Sequence, residues 1–298
     1  MPLKAYDSIE EAIRGCFGED AEIDSSRSVI GGDINTTKLL SLSNHDEVFV
    51  KINTIKNKGF FDAEEESLTA IASTDTIGTP KLYCKGTDTK KGISFLMMEP
   101  VKGFENKDTW LIMGHEFADM HMADTSDFTY GGRYGFIHDN YIGASKQINT
   151  VKDSWIDFFR ECRLEPQIRM AQYAFDKDTL KDMLKLMDGL DDILMEPDKP
   201  SLLHGDMWGG NHMIGRNGKA ILIDPAVYVG HSEADMAFTE LFGSMPYDFY
   251  KGYYEKVEKQ PGYEDRKDLY NLYHLLNHYN LFGGSYLSSV IRTVRHYI

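Results

Sequence analysis

The chain has 298 residues, 42% hydrophobic and 27% charged, with a formal net charge of −15; that is room for two units with a core each, and the wrong sign for a nucleic-acid partner, whose phosphates reward basic surfaces. Cys16, Cys84 and Cys162 are scattered and form no C-x-x-C pair, which argues against a disulfide framework or a zinc site and fits a reducing cytoplasm. The polar start is no signal peptide and no run reaches the roughly 18 apolar residues of a membrane span, so the sequence predicts a cytoplasmic protein without a membrane partner.

Ser8-Ile9-Glu10-Glu11 is a capping-box pattern, and Ile9, Ala12, Ile13 and Cys16 place one apolar face on a short helix behind it. Three strand-like runs follow, Ser25 to Ile30, Thr36 to Leu42 and Glu47 to Asn53, with Gly31-Gly32-Asp33-Ile34-Asn35 between the first two. In the third run Val48, Val50 and Ile52 point one way and Lys51 the other. A helix is predicted from about Phe60 to Ala72. A hairpin comes next, Lys81 to Gly86 and Ile93 to Glu99, turning at Asp88–Gly92. Beyond Gly103 the periods become helical: Lys107 to Ala123, Val151 to Ala174, Lys177 to Met195, and most of the last third. The composition thus shifts near residue 100, from a small β-rich unit (1–100) to a larger α-rich one (101–298). The predicted fold class is α+β, in the bilobal protein-kinase-like arrangement.

The chemistry concentrates in His204-Gly205-Asp206-Met207-Trp208-Gly209-Gly210-Asn211 and in Ile221-Leu222-Ile223-Asp224-Pro225. An Asp and an Asn separated by four residues, then an Asp ending an apolar strand, is the layout of a phosphotransferase. There the first Asp takes the proton of the attacking hydroxyl, while Asn211 and Asp224 would hold Mg²⁺ on the nucleotide phosphates. Gly209 and Gly210 allow a tight return of the chain to Asn211. Trp208 would stack on a sugar face, core packing being the alternative. His204 is expected to brace the loop, and Asp235 to anchor it from a helix start.

Lys51 fits the lysine that reaches the α- and β-phosphates, and Glu64 is the partner chosen among Glu64, Glu65 and Glu66, a choice spacing alone does not decide. Gly31, Gly32 and Asn35 stand where a phosphate-covering loop would lie, although a plain hairpin turn explains the same glycines. Glu99 and Val101, on either side of Pro100, would offer main-chain groups to adenine. His115 and His121 do not make an H-E-x-x-H pair and read as packed side chains.

Taken with Asp224-Pro225-Ala226-Val227-Tyr228, Glu233 to Gly243, Asp139-Asn140-Tyr141-Ile142-Gly143 with Gln147 and Asn149, Trp155, Arg163, Gln167 and Leu272 to Gly283, these motifs resemble the fructosamine/ketosamine 3-kinase family, within the aminoglycoside-phosphotransferase-like kinases. The resemblance runs from about Gly31 to Tyr286. It implies ATP- and Mg²⁺-dependent phosphorylation of the O3 hydroxyl of a ketosamine, so that the sugar is shed and the amine repaired. Asp206 would be the base, Asn211 and Asp224 the metal ligands, Lys51 and Glu64 the phosphate-positioning pair, and Trp208 would meet the sugar. The acceptor would be a small glycated amine or a glycated lysine on a protein, and a monomer is favoured. A kinase for an aminoglycoside, choline or free sugar is the alternative. Some relatives carry a Cys in the glycine-rich loop; Asp33 stands there in this chain, so no redox switch is expected.

Overall fold

The computed structural model describes residues 3–29 and 34–298. A six-stranded sheet is built from β1 (Ala5–Tyr6), β2 (Ile23–Ser28), β3 (Thr36–Leu42), β4 (Glu47–Thr54), β5 (Leu82–Asp88) and β6 (Ile93–Met98), in the order β1-β5-β6-β4-β3-β2. Only β1 runs parallel to its neighbour. Helix α1 (Ile9–Phe17) precedes β2, and α2 (Lys58–Ser73) follows β4.

Period-2 alternation decides which face each side chain serves. Val48 and Val50 of β4 share a core with Ala12 and Ile13 of α1, Phe95 and Met97. The opposite face packs Phe61 of α2 against Leu96 and Met98, with Phe49 beside them. Lys51, in register with Leu96 on β6 and Thr37 on β3, therefore faces α2. On α1, the Ser8 hydroxyl accepts the Glu11 N–H as the capping pattern requires, while Glu11 reaches back to the N–H of Asp7 rather than of Ser8. Edge strand β2 is exposed along its length and carries Asp24, Arg27 and three serines, a sequence that discourages pairing with another sheet.

Beyond residue 100 the elements are α3 (Thr109–Met122), the hairpin β7 (Asn140–Ile142) and β8 (Ser145–Gln147), α4 (Trp155–Phe158), α5 (Glu165–Ala171), α6 (Lys177–Asp188), α7 (Leu190–Ile193), β9 (Ser201–Leu203), β10 (His212–Ile214), β11 (Ala220–Leu222), β12 (Tyr228–Gly230), α8 (Ser232–Leu241), α9 (Tyr247–Tyr254), α10 (Tyr263–Phe282) and α11 (Tyr286–His296). Their core is aromatic and aliphatic, with Phe117, Trp155, Phe158, Phe249 and Tyr270 all buried.

Two long predicted helices are interrupted. The run to Ala174 starts at Trp155 rather than Val151 and widens to a π-helix over Phe159–Leu164. Pro166 has no N–H to give the Cys162 carbonyl, and the Arg163 guanidinium fills that place at 3.0 Å. The run from Lys177 breaks at Gly189, which caps α6. Other ends shift by one to three residues.

Four short strands place the site. β9 pairs antiparallel with β12 and β10 with β11. Loop 204–211 joins β9 to β10 and loop 223–227 joins β11 to β12, so the two loops run side by side. A backbone bond crosses between them at each end, Ala226 N–H to His204 O at 2.8 Å and Ile223 N–H to Asn211 O at 3.0 Å.

Candidate active site

Lys51 lies between two carboxylates. Its ammonium bonds to Glu64 on α2 and to Asp224 on the 223–227 loop. Lys51 is only 6% exposed. Burial by itself disfavours its charge, but Asp224 and Glu64 more than offset this and hold the ammonium above its ordinary range. Burial and the Asp224 charge push the Glu64 carboxyl upward, against the pull of Lys51. The neighbouring glutamates have other partners: Glu65 accepts the Leu3 N–H at 2.8 Å and pairs with Lys85, and Glu66 meets His138 at 2.8 Å. One turn of helix thus sorts three adjacent glutamates to three destinations.

The 204–211 loop is held from both sides. Gly205 has a φ of +78°, and a Cβ there would sit 2.0 Å from the Ala226 carbonyl oxygen, so only glycine fits. Its N–H and that of His204 donate to the Asp235 carboxylate, at 2.9 and 2.6 Å. Asp235 is 2% exposed and also meets His121 Nε2 at 3.3 Å. His204 bridges the loops, with Nε2 against the Ile223 carbonyl at 3.0 Å and Nδ1 accepting the Asp206 N–H at 3.3 Å. That fixes the tautomer: Nε2 carries the proton.

Asn211 Nδ2 donates to the main-chain oxygen of Asp206 at 2.7 Å and to its Oδ2 at 2.8 Å. Both partners are acceptors, so the amide must present its NH₂ there, leaving Oδ1 for another ligand. The Asp206 carboxyl is pushed well above the usual carboxylate range. Burial is the main cause, the Asn211 bond pulls the other way, and the charges of Asp224 and Asp235 add to the rise. Asp224 itself adopts a left-handed φ of +54°, uncommon for a residue with a side chain. The two crossing backbone bonds and the Lys51 contact hold it there. Its side chain remains 41% exposed.

The remaining predicted residues are spread around this centre. Asn35 is tied to β4 by the Asn53 amide at 2.7 Å, while Gly31, Gly32 and Asp33 lie outside the described residues. Glu99 and Val101 are half-buried on the segment leaving β6, and the Glu99 carboxylate accepts the Lys81 N–H at 2.9 Å. Trp208 is 38% exposed, so it is not packed in the core. Its ring lies over Gly210, where a Cβ would meet it at 2.4 Å.

Sequence reasoning gave no role to the link from His121 to Asp235, completed by the Tyr253 hydroxyl on His121 Nδ1 at 2.8 Å. A lone histidine on a helix carries no signal of that pairing. His115, by contrast, makes only a half-exposed contact with Glu255. A separate cavity of about 170 Å³ opens behind α8 among His121, Met236, Tyr253 and Tyr263, and holds none of the predicted site residues.

No group of three or more His, Cys, Asp or Glu that could hold a metal occurs among the described residues. The Asn211 oxygen and the Asp224 carboxylate are two hard oxygen donors on adjacent loops. Mg²⁺ accepts such a set when phosphate oxygens and water complete its shell, so these residues fit a nucleotide-borne Mg²⁺ better than a resident ion.

The fructosamine kinase family profile matches residues 5–298. A Synechocystis protein described as a probable ketoamine kinase is 39% identical over 291 residues, 96% of this chain and 95% of its own. The chloroplastic protein-ribulosamine 3-kinase of Arabidopsis thaliana is 35% identical over 308 residues, covering 100% of this chain and 90% of its own. In structure, a candidate fructosamine-3-kinase from Haemophilus somnus superposes with a TM-score of 0.84 at 30% identity, over 98% of this chain and 97% of the other. A thermostable mutant of the aminoglycoside phosphotransferase APH(4)-Ia, in a ternary complex with AMP-PNP and hygromycin B, shares the fold at a TM-score of 0.63 and 16% identity, over 97% and 98% of the two chains. The architecture is the α+β, protein-kinase-like one, and the chain belongs to the fructosamine kinase family.

Proposed function

We propose that the protein is an ATP-dependent ketosamine 3-kinase, transferring the γ-phosphoryl group to the O3 hydroxyl of a sugar-derived adduct on an amine and so leading to its removal. The observation that carries this is the convergence of Lys51, Glu64 and Asp224, from three separate elements, beside the loop that bears Asp206 and Asn211. ATP is the donor a kinase family uses. Mg²⁺ would supply charge neutralisation between the phosphates, with Asn211 and Asp224 holding it.

In this reading Asp206 accepts the proton of the attacking hydroxyl. Its raised pKa makes it a stronger base than a solvated aspartate, and the Asn211 amide aims one carboxylate oxygen while the other has no hydrogen-bond partner to displace among the described residues. Lys51, oriented by Glu64, places a fixed positive charge where phosphate oxygens would lie. Gly31, Gly32 and Asn35 cover the phosphates, main-chain groups of Glu99 and Val101 take adenine, and Trp208 offers its exposed face to the sugar. The nucleotide-binding unit then spans 1–100 and the catalytic and acceptor-binding unit 101–298.

Glycated lysines on proteins are proposed as acceptors besides small glycated amines, with the chain acting as a monomer. No helix of the described residues is long and apolar enough to cross a membrane, and the free cysteines Cys16, Cys84 and Cys162 support a reducing, cytoplasmic setting.

The test is ADP release with Mg²⁺-ATP and a panel of ribose-, erythrose- and glucose-derived ketosamines. Turnover of at least one, lost in Asp206→Asn with nucleotide binding kept, is the expected result. Turnover confined to an aminoglycoside, choline or a free sugar would overturn the substrate assignment.

A further inference from the structure

Hairpin β7–β8 carries a set of polar side chains that the reaction as described leaves without a task. Gln147 is 2% exposed, and both of its polar atoms are engaged. Its Nε2 donates to the Ala226 carbonyl at 2.9 Å and to Asn140 Oδ1 at 2.8 Å, and its Oε1 accepts the Tyr273 hydroxyl at 2.7 Å. Asn140 Nδ2 donates to the Val227 carbonyl at 2.7 Å. Asn149 joins Asn140 Oδ1, at 3.0 Å, to the Arg163 guanidinium, at 2.8 Å. Arg163 is wholly buried, makes no ion pair among the described residues, and stacks on Tyr228 at 3.8 Å.

Such a network is a costly way to fix an eight-residue hairpin, because any member left unpaired would carry its full desolvation penalty. Apolar side chains would hold a hairpin equally well. What the network grips is specific: the carbonyls of Ala226 and Val227, two and three residues after Asp224. The Ala226 N–H is bonded to the carbonyl of His204, two residues before Asp206. Ala226 is thus pinned on both edges, through its N–H and its C=O, and the separation of the two carboxylates passes through it.

The other end of the hairpin reaches the opposite side of the site. Tyr141 packs on Phe60, near the start of the helix that carries Glu64, with ring centroids 4.2 Å apart. At the turn, a Cβ on Gly143 would lie 3.0 Å from Leu281 Cδ1 and 3.6 Å from Ile34 Cδ1, so the turn sits between α10 and the residue leading into β3.

We propose that β7–β8 is a strap that keeps Asp206 and Asp224 in register, and that Gln147 is its positioning residue: its carboxamide, held by Tyr273, clamps the Ala226 peptide. This rests on the roles given above to the two carboxylates. Gln147 is closed off from solvent and engaged by Asn140, Ala226 and Tyr273, so its loss moves the rate of transfer and not nucleotide affinity.

The test compares Gln147→Met, close in volume but without the amide, with Tyr273→Phe, which keeps the Ala226 clamp. Turnover is read on whichever acceptor the wild-type protein uses, or as basal ATP hydrolysis if none of the ketosamines turns over. AMP-PNP affinity is read by calorimetry. Gln147→Met should lower kcat about 10- to 100-fold, the scale of a misplacement near 1 Å, with AMP-PNP Kd changed less than about threefold; Tyr273→Phe should lose less than about threefold in kcat. If Gln147→Met does not fold, Gln147→Asn, which keeps the amide but withdraws it by one methylene, is read the same way. A kcat within twofold of wild type despite a lower melting temperature would make Gln147 a purely structural residue and overturn the proposal, as would equal losses in kcat and nucleotide affinity. A wild-type protein inactive on every ketosamine yet showing this split in hydrolysis would overturn the substrate assignment alone.

Discussion

Replacing Asp235 by Asn tests how the 204–211 loop is held. The carboxylate is 2% exposed and accepts three contacts, His204 N–H at 2.6 Å, Gly205 N–H at 2.9 Å and His121 Nε2 at 3.3 Å. An amide has one oxygen for the two backbone donors. Whichever way it is turned, one buried N–H faces an NH₂ group. A buried donor left unmade costs about 1–3 kcal/mol, and the surviving bond also loses its charge assistance, so the total is about 2–4 kcal/mol. At about 2–4 °C per kcal/mol for chains of 150–250 residues, and the lower end for a longer one, the melting temperature should fall by roughly 4–8 °C. Asp206 lies two residues beyond His204, so kcat measured well below the transition should fall about tenfold through misplacement of the base. Differential scanning calorimetry gives the first number and coupled ADP release the second. Exchange of the His204 and Gly205 amides should accelerate more than that of amides in β3 or β4. A variant that melts and turns over like wild type would refute the view that this carboxylate fixes the loop.

Two further outcomes follow from charges in the site. Burial holds the Asp206 carboxyl above its unfolded value, so it contributes stability that is fully present below the ordinary carboxylate pKa of about 4 and is lost as pH rises through its folded value. Asp206→Asn, which cannot ionise, should therefore melt higher than wild type at pH 7 in the absence of nucleotide, with the gap closing towards pH 4; an equal or lower melting temperature at pH 7 would contradict that sign. Lys51→Met removes the cation shared by Glu64 and Asp224, and should cost about 2–3 kcal/mol, below the roughly 3–5 expected for a fully buried pair because Asp224 is half open to water. Glu64 can relieve the loss by taking up a proton, so calorimetric melting should show a larger deficit at pH 8 than at pH 5, and a pH-independent deficit would refute the electrostatic account. Turnover should fall by orders of magnitude in the same variant.

What the sequence made legible was local. His204 to Asn211 and Ile221 to Pro225 are short segments whose residue types can satisfy few other geometries, and the structure lays them side by side. The alternation of Val48, Val50 and Ile52 is enough to put Lys51 on the opposite face, where it meets Glu64. Glu64 could not be separated from Glu65 and Glu66 by spacing, because three consecutive residues fan over about 200° of the helix and nothing local says which direction faces Lys51. Their sorting needed Lys85, Leu3 and His138, from elsewhere in the chain. The roles of Gln147 and Asn140 were illegible for a similar reason: their partners lie 79 and 87 residues away, at main-chain carbonyls that carry no sequence signal. The π-helical widening at Phe159–Leu164 had a local cue in Pro166, yet apolar periodicity carries across such a break and gave one continuous helix.

The arrangement also explains how a chain of net charge −15 can serve a trianionic or tetra-anionic nucleotide. Glu64 and Asp224 meet the ammonium of Lys51, Asp206 lies on the neighbouring loop, and burial penalises the charges of Glu64 and Asp206. Two things relieve that penalty, a divalent cation and a cationic acceptor, and the reaction proposed here brings both: Mg²⁺ arrives on the phosphates, and the ketosamine carries a protonated amine. The bare nucleotide would meet Asp224 and Asp206 as like charges. On the proposed reaction this acidity would favour metal-bound ATP over free ATP, and Asp224, with its left-handed backbone, keeps a carboxylate 41% exposed to receive the cation.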